Sequence, residues 1–189
     1  MVSIRSIKDI FSGKGDSETT EKDISGLEKR DILLDIFWAS KKIKTTRRLN
    51  IFVFLLQEKC SEIKQILNYT FYDTIRGPYS PELMDDIDVL ATGWINGDDK
   101  VTKGEGFGYS YELSDFGITD FKFHRHIREK LKRSGIEYKI KEFIEDKKYD
   151  ILNKGHNELV RDIKKDENYK NCIEQEKNLL LFRDLRELV

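Results

Sequence analysis

Both prolines of this chain, Pro78 and Pro81, stand in one short segment, GPYSPEL, and together they divide the sequence into a part that must stop and a part that must start. Before them, NYTFYDTIRG is rich in aromatic and β-branched residues and reads as an extended strand that ends at Gly77-Pro78. After them, Ser80 is a helix N-cap, with Pro81 at the first helical position and Glu82 in the first turn. Proline lacks an N–H and cannot sit inside a helix or a central strand, so no regular element can run through this point.

The flanking segments fall into order around that break. Residues 1–25 read as a loose arm: Ile4, Ile7, Ile10 and Phe11 give one short apolar face, followed by a polar stretch. From Leu27, the spacing of Ile32, Leu33, Ile36, Phe37 and, near its end, Ile43 predicts a first helix. Thr45 or Thr46 caps a second, apolar nearly all round through Leu49, Phe52, Val53, Leu55 and Leu56, as a central helix would be; it ends near Cys60, or a turn or two later if Ile63, Ile66 and Leu67 extend it. Beyond the prolines, Leu83, Ile87 and Leu90 make a short helix ending at Gly93. Trp94-Ile95 and the alternating YSYEL then flank a glycine-rich, charged tip, the pattern of a β-hairpin. Ser114 or Asp115 caps a further helix carrying Ile118, Phe121, Ile127 and Leu131, and helical periodicity resumes past Gly135. The expected fold is α+β and mainly helical. A winged helix-turn-helix core would occupy residues 26–134, and a C-terminal helical extension residues 135–189.

Charge and cysteine usage limit the function. With 34 Lys+Arg against 35 Asp+Glu the net charge is -1, which excludes indiscriminate coating of nucleic acid, since that affinity comes from a large basic excess. Cys60 and Cys172 are far apart and outside any C-x-x-C pair, so neither a disulfide framework nor a cysteine zinc site is expected. No apolar run has the length of a membrane span and the first residues lack a signal-peptide core, so the protein reads as cytoplasmic. Alanine occurs only as Ala39 and Ala91 beside abundant Ile, Lys, Asp, Glu and Asn, a bias expected of an AT-rich genome or its viruses.

Three segments, TTRRLNIFVFLLQE, YTFYDTIRGPYSPELMDDIDVLATGWI and YSYELSDFG, carry a resemblance in order and spacing. Residues 45 to 120 resemble small archaeal and bacterial proteins of the YwgA type and, more distantly, the Panacea-type antitoxin domains. The matching positions are Arg48 and Leu49, then Gly77, Pro78, Tyr79, Ser80, Glu82, Leu83, Leu90, Gly93 and Ile95, then Tyr111, Leu113, Ser114 and Gly117. Arg76 replaces that family's usual aromatic residue, and Asn50 falls where its helix carries glutamine. The resemblance implies a winged-helix fold, with DNA binding or toxin neutralisation as the commoner roles.

In a winged helix, residues 81–92 would hold the recognition position, where basic or amide side chains meet the major groove. Here that helix is acidic, through Glu82, Asp85, Asp86 and Asp88, which would repel phosphates. The basic residues lie elsewhere: Lys41, Lys42, Lys44, Arg47 and Arg48 form one run, and Lys122, Arg125, Arg128, Lys132 and Arg133 a second, with Lys100 and Lys103 near the hairpin tip. These are the candidate contacts to double-stranded DNA. The leading expectation is a non-enzymatic DNA-binding regulator without a cofactor, dimeric through Leu181, Leu185 and Leu188. The alternative is an antitoxin-type module whose acidic helix docks a protein partner. Third is a metal-dependent nuclease on Glu137-Tyr138-Lys139. His124 and His126, two apart on one helix, would face different sides and His156 is isolated, so no metal site is expected. Gly104, Gly106 and Gly108 lack the Lys-Ser/Thr of a phosphate loop and suit a pliable hairpin tip.

Overall fold

A computed structural model describes residues 26–102, 106–148, 154–165 and 169–170. The fold is α+β and mainly helical, with two small antiparallel sheets. Helix α1 (Lys29–Ser40) opens on a capping box in which the Glu28 N–H donates to the Asp31 carboxylate at 3.0 Å, and it buries six consecutive residues from Ile32 to Phe37. A helix buried on every side belongs to the middle of a domain. Helix α2 (Thr46–Lys59) joins it there, starting from Thr45, whose hydroxyl accepts the Arg48 N–H, and burying Leu49, Ile51, Phe52, Val53, Phe54 and Leu56.

Between them lies β1 (Lys42–Lys44), so Ile43 belongs to a strand and not to the end of the first helix, which stops at Ser40; as the single buried residue of three, Ile43 shows no strand period. It pairs antiparallel with β5 (Gly106–Leu113), Lys42 opposite Glu112 and Lys44 opposite Ser110. β4 (Ile95–Thr102) lies along the other side of β5, from Ile95 opposite Leu113 to Thr102 opposite Gly106, giving the order β1-β5-β4. The expected hairpin is therefore present and gains a third strand.

Other expectations are corrected in detail. After α2 the chain breaks at Cys60 and turns once more as α3 (Ser61–Leu67), closed by Asn68 in the left-handed region at φ 44°. The segment read as one strand is a hairpin of two, β2 (Tyr72–Thr74) and β3 (Gly77–Tyr79). Gly77 at φ +100° permits the reversal, and the Thr74 hydroxyl fixes it by donating to the Gly77 carbonyl at 2.7 Å and accepting the Arg76 N–H at 3.1 Å. Helix α4 (Pro81–Ala91) follows as expected. The single helix expected after Ser114 is two, α5 (Asp115–Phe123) and α6 (Arg125–Arg133), because His124 leaves helical geometry at ψ 61°.

Past Gly135, α7 (Ile136–Lys148) contributes Ile136, Ile140, Phe143 and Ile144 to the same buried core as α1 and α2, with Phe143 edge-on to Phe52 at 5.2 Å. Helix α8 (His156–Ile163) adds Leu159, Val160 and Ile163. The described part of the C-terminal extension thus shares the interior of the preceding segment. Among the described residues no helix is long and apolar enough to cross a membrane.

Candidate nucleic-acid interface

Helix α4 is set by its first turn. The Ser80 hydroxyl accepts the Leu83 N–H at 3.3 Å, while the buried Ser80 N–H donates to Asn50 Oδ1 at 2.8 Å and Asn50 Nδ2 donates to the Thr46 carbonyl at 3.0 Å. One amide therefore joins the starts of α2 and α4. Leu83, Ile87 and Leu90 turn inward, which leaves Glu82, Asp85 and Asp88 exposed. Asp86 has a structural partner: the Tyr69 hydroxyl donates to it at 2.6 Å, and burial together with that carboxylate pushes the Tyr69 phenol far above its ordinary range. Helix α4 carries acid on its outer side and no cation.

The basic runs meet elsewhere. Trp38, half-buried near the end of α1, stacks at a tilt on Phe121 of α5, their ring centres 5.3 Å apart. Around the indole stand the Lys41 ammonium at 4.7 Å, the Arg128 guanidinium at 5.7 Å and the Lys122 ammonium at 5.8 Å. Arg128 also lies 5.4 Å from the Phe121 ring. Residues from two runs far apart in sequence are thus one patch. Among the described residues none of these cations has a carboxylate within ion-pair distance, and the negative faces of the rings are what offsets their crowding. Arg125 and Lys132, exposed on α6, extend the patch along the helix at i, i+3 and i+7 from Arg125 through Arg128.

The remaining candidates divide by environment. Arg48 is only 1% exposed and donates to the Lys154 carbonyl at 2.7 Å, so it is an interior residue and drops out of the proposed contact surface. Lys42 is engaged by Glu112 at 3.0 Å, and Arg133 by Glu129 at 3.7 Å, while Lys44 is exposed. Arg47 lines a cleft with Arg76 and α8. Lys100 lies on β4 near its end, and Lys103, Gly104, Leu181, Leu185 and Leu188 lie outside the described residues.

Compared with protein-family models, curated proteins and solved structures, the chain matches none.

His124 and His126 do not face opposite sides of one helix. His124 is the hinge between α5 and α6, which brings the two rings to 5.8 Å, with His124 Nδ1 3.1 Å from Asp120. Among the described residues no three potential ligands converge to hold a metal. In the E-x-K triplet, Glu137 is buried and paired with Lys141, Tyr138 is exposed, and Lys139 reaches Glu62 of α3 at 2.6 Å. The Lys139 ammonium holds the Glu62 carboxyl well below the usual range, at about 2.

Glu137 also faces Asp35 of α1, which is 1% exposed and has one carboxylate oxygen without a hydrogen-bond partner among the described residues. Burial first, and Glu137 second, push Asp35 up to about 7. Its folded value lies above its unfolded value, so the folded state holds the extra proton between about pH 4 and 7. Stability should accordingly fall as pH rises through that window and level off above it. Chemical denaturation from pH 4.5 to 8 is expected to show this loss, on the order of a few kcal/mol, with a flatter profile for Asp35→Asn. A wild-type profile that rises over the same window contradicts it.

The sequence reading missed Trp38 and Arg76. The signal for Trp38 was local: Lys41 follows it by three residues, one helical turn.

Proposed function

We propose that the chain is a non-enzymatic winged-helix protein that binds double-stranded DNA as a homodimeric transcriptional regulator. The observation that carries this reading is the Trp38 patch, in which Lys41, Lys122 and Arg128 stand together without carboxylate partners among the described residues and continue onto Arg125 and Lys132. Unneutralised cations spread along a helix face are suited to phosphates, which bind without regard to base sequence and release counterions. The fold reading, and with it the resemblance to YwgA-type proteins, is supported by chain order. Helix, strand and helix are followed, after α3 and the β2–β3 hairpin, by a helix and a long hairpin, and the first strand lies beside the last.

Fluorescence anisotropy with short duplexes of unrelated sequence tests the proposal. Lys122→Gln combined with Arg128→Gln is expected to weaken binding to all of them alike and to reduce the slope of log affinity against log salt by about 2. Lys42→Gln, whose ammonium is already engaged by Glu112, should change little. Absence of salt-dependent binding by the wild type rejects the reading.

A second reading has its own observation. Val89 on α4 is 62% exposed and Phe116, beside Trp94, is 56% exposed, so apolar surface adjoins the acids of α4 as a protein-docking face requires. Asp85→Lys with Asp88→Lys should then abolish a stoichiometric protein complex while leaving DNA binding intact.

A further inference from the structure

Arg47, expected from sequence as a DNA contact, instead enters a cleft that neither reading uses. The cleft has a volume of about 470 Å³ and is bounded by the first turn of α2, the turn of the β2–β3 hairpin and the outer side of α8. Arg47, Arg76, Arg161 and Lys165 enter it from these three segments. Among the described residues none of them is in an ion pair, although Arg161 and Lys165 flank Asp162, which is itself engaged by Lys154. Arg47 is only partly exposed, and its guanidinium is held below its ordinary range by that burial and then by Arg76 beside it. Like charges held this close repel, and the repulsion is relieved when an anion enters.

The cleft is built before anything enters it. Val160 of α8 and Ile51 of α2 stand at ordinary contact distance, 3.5 and 3.6 Å, from where a Cβ on Gly77 would lie, so α8 packs on the hairpin beside α2. Lys164 fastens the same contact by pairing with Asp73 at 3.0 Å and donating to the Thr74 carbonyl at 2.8 Å, and the Tyr169 hydroxyl donates to Asp73. Lys164 is thereby spent on structure, whereas its neighbours are not. Val160 and Ile75 give one side of the cleft an apolar lining, and Asn157 adds an amide. Convergence from three segments around a hollow of small-molecule size distinguishes this place from a helix face, along which a duplex would lie.

We propose that this cleft binds a compact polyphosphate, free or as the tail of a nucleotide, held by Arg47, Arg76, Arg161 and Lys165. Guanidinium forks match phosphate oxygens in pairs, and a phosphate chain carries a charge comparable to that of these side chains. The proposal does not rest on the DNA-binding reading.

Isothermal titration of the full chain with sodium tripolyphosphate and, separately, with ATP tests it, against sodium sulfate at matched ionic strength. Saturable one-to-one binding of tripolyphosphate or ATP is expected, weakened about tenfold or more by Arg161→Gln and again by Lys165→Gln. Both positions are exposed, and thermal unfolding checks that the fold is kept. Equal affinity for the two probes supports recognition of the phosphates alone; tighter ATP binding supports a nucleoside resting on Val160 and Ile75. Lys122→Gln with Arg128→Gln, on the Trp38 patch, should leave both affinities within about twofold, which separates this site from the DNA surface. The proposal is overturned by no binding beyond that of sulfate, by binding that the Arg161 and Lys165 variants leave unchanged, or by variants that weaken only duplex DNA.

Discussion

Gly117→Ala is expected to destabilise the protein by about 3 kcal/mol or more, the upper end of what overpacking costs. A methyl group at this position would stand 2.0 Å from the Trp94 carbonyl oxygen and 2.9 Å from its carbon. Those atoms are backbone, and they are held: the same oxygen accepts the Ser114 N–H at 2.9 Å, and the Trp94 N–H donates to the Leu90 carbonyl at 2.8 Å. No rotamer change can relieve the clash, so either α5 moves off the base of the β4–β5 hairpin or the hairpin shifts on α4. Urea unfolding monitored by tryptophan fluorescence measures the effect, with Gly155→Ala as the internal control, since Gly155 has nothing within 4 Å and an ordinary φ of -57°. Equal midpoints for the two variants would contradict the packing described.

The second large effect is expected at Gln57. Its amide is 4% exposed and serves both polar groups of one residue, donating to the Tyr69 carbonyl at 2.9 Å and accepting the Tyr69 N–H at 3.1 Å. Leucine fills similar space and meets neither need. Two buried backbone groups left unsatisfied cost about 1–3 kcal/mol each, so Gln57→Leu should lose roughly 2–6 kcal/mol despite being more apolar. Gln57→Glu retains both partners only as the protonated acid, so its loss should be small at low pH and grow as pH rises and an unpaired buried charge forms. Hydrogen exchange at the Tyr69 amide gives a local readout: it should accelerate in Gln57→Leu more than amides in the middle of α1. An unchanged Tyr69 exchange rate together with wild-type stability would refute the role given to this amide.

Much of this arrangement was legible because punctuation in the sequence is local chemistry. Ser80-Pro81-Glu82 starts α4 where expected, and Trp94-Ile95 with YSYEL make the hairpin. Gly117 has a packing reason that no periodicity discloses, because the atom excluding a side chain belongs to Trp94, far earlier in the chain. The same holds for Arg48. Within TTRRLN it is indistinguishable from Arg47, yet Arg47 faces the cleft and Arg48 the interior, since adjacent residues on a helix point about 100° apart. Charge runs misled in the other direction as well: Lys41 and Lys122 are separate in sequence and share one indole in space. The turn inside NYTFYDTIRG was hidden by its composition, as strand-forming residues continue on both sides of the reversal.

Asn50 has a topological consequence. Its side chain spans from the first turn of α2 to the N-cap of α4, so the chain that leaves the far end of α2 at Cys60 and builds α3 and the β2–β3 hairpin is brought back beside the start of α2, with Ile63, Leu67, Tyr69 and Phe71 buried in the core on the way. Closing a long loop costs entropy that grows only slowly with its length. The exposed β2–β3 turn, where Ile75 is 90% exposed, can lengthen, shorten or change its residues without disturbing those buried side chains. The turn at Ile75 and Arg76 is therefore a place where this fold can alter the chemistry of its cleft while α1, α2 and α4 remain as they are.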